Sequence, residues 1–178
     1  MEGCRFSQCR FHGVRLSEAK IERCIFDACD FTAARLDGAV FSRSAMLNCT
    51  FRMAGLFGAR FDDCKMTGSG FDEADLAGIK VKGGDWSFVD LSGRTLAGLH
   101  LRGLRLTDAN LAFADLRKAD LRDADLSRAR LDEAKLEGAD LRGATLDGVD
   151  LTRLALIRVR LDIAQAVLIV QAMGASVE

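Results

Sequence analysis

From Phe6 to Leu161 every fifth residue is large and apolar, thirty-two positions in succession with no residue skipped or inserted. Five residues turn an α-helix through about 500°, so such a stripe would drift around the helix by about 140° per repeat. Simple strand alternation has a period of two and fails as well. A fixed short period sustained over a whole chain belongs to stacked arrays, in which each unit is too small to bury its own apolar residues and does so against its neighbours.

The rest of the repeat is ordered around this centre. Two residues before it, twenty-seven of the thirty-two positions hold Ala, Cys, Ser, Val or Gly, including an unbroken run of Ala from Ala109 to Ala144. The other three positions are mostly charged, polar or Gly. Each pentapeptide therefore offers one large and one small residue to the interior and three to solvent. The centres mix Phe, Leu, Ile and Met up to Trp86 and are Leu alone from Leu91 on.

The segment ADLRKADLRDADLSRARLDEAKLEGADLRGATLDGVDL, from Ala114 to Leu151, resembles the A-(D/N)-L-x-x signature of the pentapeptide-repeat family, and the pattern extends over about residues 4–161. The resemblance implies an all-β fold, a right-handed quadrilateral parallel β-helix in which four pentapeptides make one square coil. The thirty-two repeats would then give about eight coils. Residues 1–161 are expected to form this solenoid and residues 162–178 a short C-terminal helix and tail.

A length of 178 residues and 49% apolar content suit one domain with a continuous core. Charges run throughout the first thirty residues, which argues against a signal peptide. The longest apolar stretch, Ile163 to Val170, is broken by Gln165 and too short for a membrane span. A cytoplasmic location is the default expectation. All six cysteines (Cys4, Cys9, Cys24, Cys29, Cys49 and Cys64) fall on the small inward position. Side chains stacked in parallel do not turn towards each other as a disulfide requires, so reduced, buried thiols are expected. His12 and His100 sit on outward positions of different sides, and neither a metal site nor a cofactor is expected.

Thirteen of seventeen glycines lie two residues after a centre, where a type II turn needs positive φ. Gly38, Gly58, Gly78, Gly98 and Gly138 share one side, which is expected to be rich in such turns. One stretch departs from the frame: between Ile79 and Leu104 the small position carries Ile79, Arg94, Leu99 and Leu104, while Gly84 accompanies Trp86. This reads either as a transition between two packing types or as a kink or partner contact.

After Leu161 the period stops, and Asp162 followed by IAQAVLIVQAMG reads as a helix with an Asp N-cap and Gly174 as its stop. This ending is similar to the tail of the quinolone-resistance branch of the family, the MfpA/Qnr-like gyrase-interacting proteins. The resemblance implies a homodimer joined tail to tail and makes Ile163, Val167, Val170 and Met173 candidates for capping and dimer contacts. It further implies a rod that resembles duplex DNA and binds a type II topoisomerase, DNA gyrase, inhibiting it or protecting it from quinolone-like or natural poisons.

The outward charges qualify this. The side centred on Phe11, Phe31, Phe51 and Phe71 carries seven acids (Asp30, Asp72, Glu73, Asp90, Asp132, Glu133 and Asp150) against Arg10, Arg52, Arg130 and Arg153, whereas the whole chain is only −1. Duplex DNA carries one charge per about 1.7 Å, so a stack of roughly 38 Å would match about 22 phosphates. Shape and a few contacts must therefore outweigh charge. Leu47, Met53, Phe57, Phe88 and Phe113 are large apolar residues at outward positions, and Leu47, Met53 and Phe57 are close enough in sequence to suggest a patch. The basic residues of the Ile21 side alternate with acids and lack outward aromatics, which argues against direct nucleic-acid binding. No nucleophile with a nearby histidine, phosphate loop or metal spacing is present, so no catalytic residues are expected. The competing reading is a structural or protein-interaction scaffold with an unrelated partner.

Overall fold

The structure is a computed structural model and describes residues 1–177. Its short strands are β1 (Arg5–Ser7), β2 (Lys20–Glu22), β3 (Ile25–Asp27), β4 (Val40–Ser42), β5 (Ala45–Leu47), β6 (Arg60–Asp62) and β7 (Lys80–Lys82), followed by helix α1 (Ile163–Ala172). Strands β1, β3 and β5 form one parallel sheet and β2, β4, β6 and β7 another, every pair in a register of twenty residues, as in Phe6↔Phe26 and Phe41↔Phe61. Isolated bridges continue the same register along the other sides. On the Phe11 side the rungs run Arg10, Asp30, Thr50, Gly70, Asp90, Asn110 and Arg130. The protein is thus a parallel β-solenoid with four sides per coil, which are named here by their first centres: the Phe6, Phe11, Leu16 and Ile21 sides.

The repeat is set by where its backbone N–H groups go. In the pentapeptide centred on Leu121, Leu121 N donates to Asp140 O at 2.9 Å and Asp123 N to Arg142 O at 3.1 Å in the next coil. Asp125 N donates to Leu104 O in the preceding coil at 3.0 Å, and Ala124 N closes the corner on Leu121 O at 3.1 Å. One N–H remains, that of Arg122, and the side chain of Asp120 accepts it at 3.3 Å. The same carboxylate or amide latch recurs from Asp30 to Thr32 N, Asp90 to Ser92 N, Asn110 to Ala112 N and Asp125 to Ser127 N. An Asp or Asn before the centre therefore completes the backbone's pairing, since a donor left unpaired costs free energy.

The corner glycines Gly38, Gly58, Gly78, Gly98 and Gly138 all have the expected positive φ, but the conformation is not confined to their side. Positive φ occurs at the second residue after the centre on all four sides, and eighteen residues other than glycine adopt it, among them Gln8, Arg23, Met53, Phe88 and Phe113. The N–H at that corner donates to the next coil, as Gln8 N does to Asp27 O at 2.8 Å, and this bond holds the left-handed conformation whatever the side chain.

Inside, the Phe11 column stacks ring on ring, with Phe11–Phe31 at 4.8 Å and Phe31–Phe51 and Phe51–Phe71 at 5.0 Å, and Trp86 of the neighbouring Phe6 column stacks on Phe71 at 5.8 Å. The cysteines are free, and Cys24, Cys29, Cys49 and Cys64 are buried. Burial pushes the Cys49 thiol up to about 12 and the Cys64 thiol up to about 11, which suppresses the reactive thiolate. Gly84 is set by the coil before it rather than by the indole of Trp86. A Cβ there would sit 2.2 Å from Cys64 O, so it is the close approach of two backbones that requires glycine. Trp86 itself is buried with its Nε1 unpaired.

The last coil is only partly built. Among the described residues no bridge follows Arg130 on the Phe11 side, and Leu151–Arg153 form a 3-10 turn, although Asp140↔Arg160 restores the register. Val149, Leu154 and Val159 occupy its small positions, where the coils below hold Ala, and the extra bulk prevents regular stacking. Helix α1 then closes the end. Asp162 and Gln165 form a capping box, and Asp162 Oδ2 also accepts from Gly143 N at 2.8 Å. The buried Gln165 amide donates to Leu141 O, which also accepts the corner bond from Ala144 N, and to Ala144 O, which has no backbone donor among the described residues.

Between Ile79 and Leu104 the structure has a seam. Among the described residues no backbone hydrogen bond joins Glu73–Gly83 to Ser92–Gly103, and the Asp75–Thr95 and Lys80–His100 bridges are missing, whereas Gly70↔Asp90 and Asp85↔Arg105 hold the other two sides. Three departures from the pattern account for it. Ile79 and Leu99 are successive in a column that elsewhere holds Ala39, Ala59, Ala119 and Ala139. Arg94 turns out of the core, and its Nε donates to Ser92 O at 3.2 Å, the carbonyl that Glu73 N would use by the register of the neighbouring coils. The irregular stretch is thus a local opening of the ladder on the Leu16 and Ile21 sides. Amides of Leu76, Gly78 and Val81 are expected to exchange with solvent faster than those of Leu56, Gly58 and Phe61, and Arg94→Ala to slow exchange at Glu73 and Thr95. Hydrogen exchange read by NMR or mass spectrometry checks both, and equal rates across the two coils would count against the seam.

Candidate partner-binding face

The Phe11 side gathers the seven expected acids on one face, and the structure divides them into two groups. Asp30, Asp90 and Asp150 stand at the latch position: Asp30 accepts from Thr32 N at 2.9 Å, Asp90 from Ser92 N and Asn110 Nδ2 at 3.0 Å, and Asp150 from Thr152 N at 3.1 Å. Contacts with Thr32 hold the Asp30 carboxyl below the usual carboxylate range, and those with Thr152 do the same for Asp150. These three serve the backbone first.

The other four project from the corner and the residue before it. Asp72 and Glu73 both lie 3.5 Å from the Arg52 guanidinium, and Asp132 lies 3.5 Å from Arg130. Glu133 has no ion pair among the described residues. Exposed pairs of this kind are worth about 0–1 kcal/mol, so they leave the carboxylates free to exchange partners. Along the corner column, Met53, Glu73, Gly93, Phe113 and Glu133 succeed one another at steps of about 4.8 Å. Apolar and acidic groups thus alternate up one edge of the face, with Met53 half exposed and Phe113 64% exposed.

The remaining outward apolar residues do not join them. Leu47 is half-buried in β5 on the Phe6 side, while Phe57 is exposed on the Leu16 side, two sides away around the coil. The patch expected from Leu47, Met53 and Phe57 is therefore not formed. In the tail, Ile163, Val170 and Met173 face solvent and Val167 is half-buried. The residues turned towards the coil are Gln165 and Ile169. Sequence reasoning passed over Gln165 because it is polar, yet the D-x-x-Q spacing after the last repeat was the signal for a capping box.

A shallow cleft on the solenoid is bounded by Asp63, Lys65, Gly84, Asp85, Gly103, Arg105, Asp123 and Asp125 and holds about 430 Å³ of space. It carries mixed charge and no nucleophile. Among the described residues, no group of three or more His, Cys, Asp or Glu side chains is placed to hold a metal ion, and no helix is long and apolar enough to cross a membrane.

A stack of square coils with this latch is the architecture of one protein class. Two family profiles match the chain, one described as pentapeptide repeats (9 copies) over residues 2–50 and one as pentapeptide repeats (8 copies) over residues 87–123 and 124–162. The chain belongs to the pentapeptide-repeat family. Its solenoid is Qnr-like: a trypsin-treated variant of QnrB1, a plasmid-mediated fluoroquinolone resistance protein, matches with a TM-score of 0.86 at 25% identity over 100% of this chain and 91% of that one. Full-length QnrB1 shares the fold at 20% identity with a TM-score of 0.75, over 98% of this chain and 99% of that one. No curated protein matches the chain significantly in sequence.

The latches give the fold a pH dependence with a definite sign. The Arg122 side chain pulls the Asp120 carboxyl down to about 2, and hydrogen bonds from Arg117, Ser127 and Arg142 hold Asp115, Asp125 and Asp140 low as well. Carboxyls with depressed folded values stabilise fully above the ordinary range near pH 4 and lose that contribution as pH falls through their folded values. Thermal unfolding followed by circular dichroism is expected to be flat from pH 7 to 5, then to drop by roughly 5–10 °C by pH 2.5.

Proposed function

We propose that this protein is a non-catalytic rod that binds DNA gyrase at a surface used by duplex DNA, inhibiting the enzyme or protecting it from quinolone-like or natural poisons. The observation that carries this reading is the full-length match to QnrB1, whose known description is fluoroquinolone resistance. A rod whose Phe6 and Phe11 sides keep their register past the seam is compatible with a DNA-shaped ligand. The acidic Phe11 side supplies the contacting charges, chiefly Asp72, Glu73, Asp132 and Glu133, with Met53 beside them. Since that side is only −3 by its seven acids and four arginines, recognition rests on shape and local contacts, and charge acts mainly on the rate of encounter. On this reading the protein acts in the cytoplasm.

A supercoiling assay with purified gyrase, with and without a quinolone, tests the proposal. The protein is expected to alter supercoiling or drug-induced cleavage, and Asp72→Asn with Glu73→Gln to weaken the effect roughly threefold to tenfold. No effect at a large excess of protein over enzyme would sink it.

The exposed apolar face of α1 supports a homodimer within the same proposal. Ile163 is 84% and Met173 72% exposed, beside the exposed Leu168 and Val170, and apolar residues gathered on one surface mark a site of protein association. Light scattering is expected to give a dimer mass for the natural chain and a monomer mass for Met173→Asp with Ile163→Asp. A monomer from the unaltered chain removes the dimer from the proposal.

A further inference from the structure

Of the eighteen residues other than glycine that adopt positive φ, thirteen are polar or charged and two are Ala. Several of the polar ones recover the cost of that conformation by pairing with the adjacent coil, as Arg128 does with Asp108 at 2.7 Å and Asp123 with Arg102 at 2.8 Å. The three large apolar residues are Met53, Phe88 and Phe113. Left-handed backbone is unfavourable at such a residue, because its Cβ crowds the following carbonyl. Phe88 and Phe113 do not recover that cost in the core, since they are 60% and 64% exposed and neither joins an aromatic pair among the described residues. Both pay twice, in conformation and in exposed apolar surface, at sites where Gly is the commonest neighbour.

Their placement is specific. Phe88 stands at the corner where the chain enters the rung 89–93, and Phe113 at the opposite corner, where the rung 109–113 leaves the same side. Those rungs are successive coils. The outward residues between the two rings are Asp90, Ser92, Asn110 and Ala112, with Asn110 Nδ2 held 3.0 Å from Asp90 Oδ1 and Ala112 only 4% exposed. The result is a low shelf with a phenyl ring at each diagonal corner. Asp72 and Glu73 lie one coil before it, and Asp132 and Glu133 one coil after it.

We infer that this shelf is the docking centre of the Phe11 side and that Phe88 and Phe113 are its anchors, inserted into apolar pockets on a basic protein surface. The carboxylates on either side steer that surface into register. The inference rests on the gyrase reading above and names the residues that would carry most of its affinity. Aromatic anchors surrounded by weaker polar contacts are the usual distribution of binding energy in protein interfaces.

The test exploits the backbone. Because Gly accepts positive φ freely, Phe88→Gly with Phe113→Gly relieves strain, and Tm is expected to stay within a few degrees of the natural protein. Binding to purified gyrase, read by calorimetry or surface plasmon resonance, is expected to weaken by at least about tenfold. Phe57→Ser, which removes an equally exposed ring from another side, is expected to leave binding unchanged. If the natural chain binds and the double variant binds equally, the anchors are wrong while the gyrase reading stands; if the natural chain does not bind, both fall. Weakening by Phe57→Ser as large as that of the double variant would overturn the assignment to this side. Loss of folding in both single variants as well as the double would mean that the rings hold the coil together, and would overturn it too.

Discussion

Everything in this molecule depends on the parallel hydrogen-bond ladder that joins each residue to the one twenty positions further on. A coil of four short sides has too little backbone per side to form a stable sheet by itself, and its pairing must come from the coils before and after it. Within the pentapeptide, three N–H groups serve that ladder and one closes the corner. The last is left to a side chain, and the residue before the centre, Asp or Asn, is the one placed to accept it. The family signature is in this sense a statement about backbone donors as much as about the core: Leu fills the interior, Ala leaves it room, and Asp completes the pairing.

That division of labour determines what the surface can offer to a partner. Asp120, Asp125 and Asp140 look like surface charge in the sequence but are bound to their own backbone, Asp120 and Asp140 also to the arginine two residues on and Asp125 to the hydroxyls of Ser127 and Thr107. The same holds for three of the seven acids on the Phe11 side. What remains available sits at the corners and the residues just before them, where side chains point away from the coil. The acidic pairs Asp72–Glu73 and Asp132–Glu133 and the rings of Phe88 and Phe113 all come from those positions. A potential recognition surface is thus written in the two residues of the repeat that the fold leaves free.

Much of the fold was legible because a period of five admits few three-dimensional answers, and because every cysteine fell in one frame position. The square coil itself came from family resemblance rather than from periodicity. Other features depended on backbone conformation, which side-chain patterns do not report. Glycine marked the corners of one side, yet Arg23, Glu73 and Phe113 adopt the same left-handed geometry because the ladder holds them there. Gln165 was invisible as a capping residue for the opposite reason: a polar side chain in an apolar stretch reads as an interruption until the carbonyl of Ala144 is seen to need a donor. The candidate face was legible as a set of residues on one side, but the separation of its latched from its free carboxylates was not. Leu47 and Phe57 show the limit of nearness in sequence, since ten residues carry the chain to the opposite side of the coil.

The seam between Glu73–Gly83 and Ser92–Gly103 has a thermodynamic meaning beyond its local geometry. In a linear array the stability of the whole is close to a sum of unit terms and nearest-neighbour couplings, and cooperativity extends only as far as those couplings remain strong. Here one coupling in the middle of the chain acts through half the perimeter, on the Phe6 and Phe11 sides. The Phe-rich stack before it and the Leu-only stack after it are therefore separate cooperative blocks that share a weak joint. The Phe11 side crosses that joint on its intact edge, so a partner lying along this side would grip both blocks and bind them into a single melting unit.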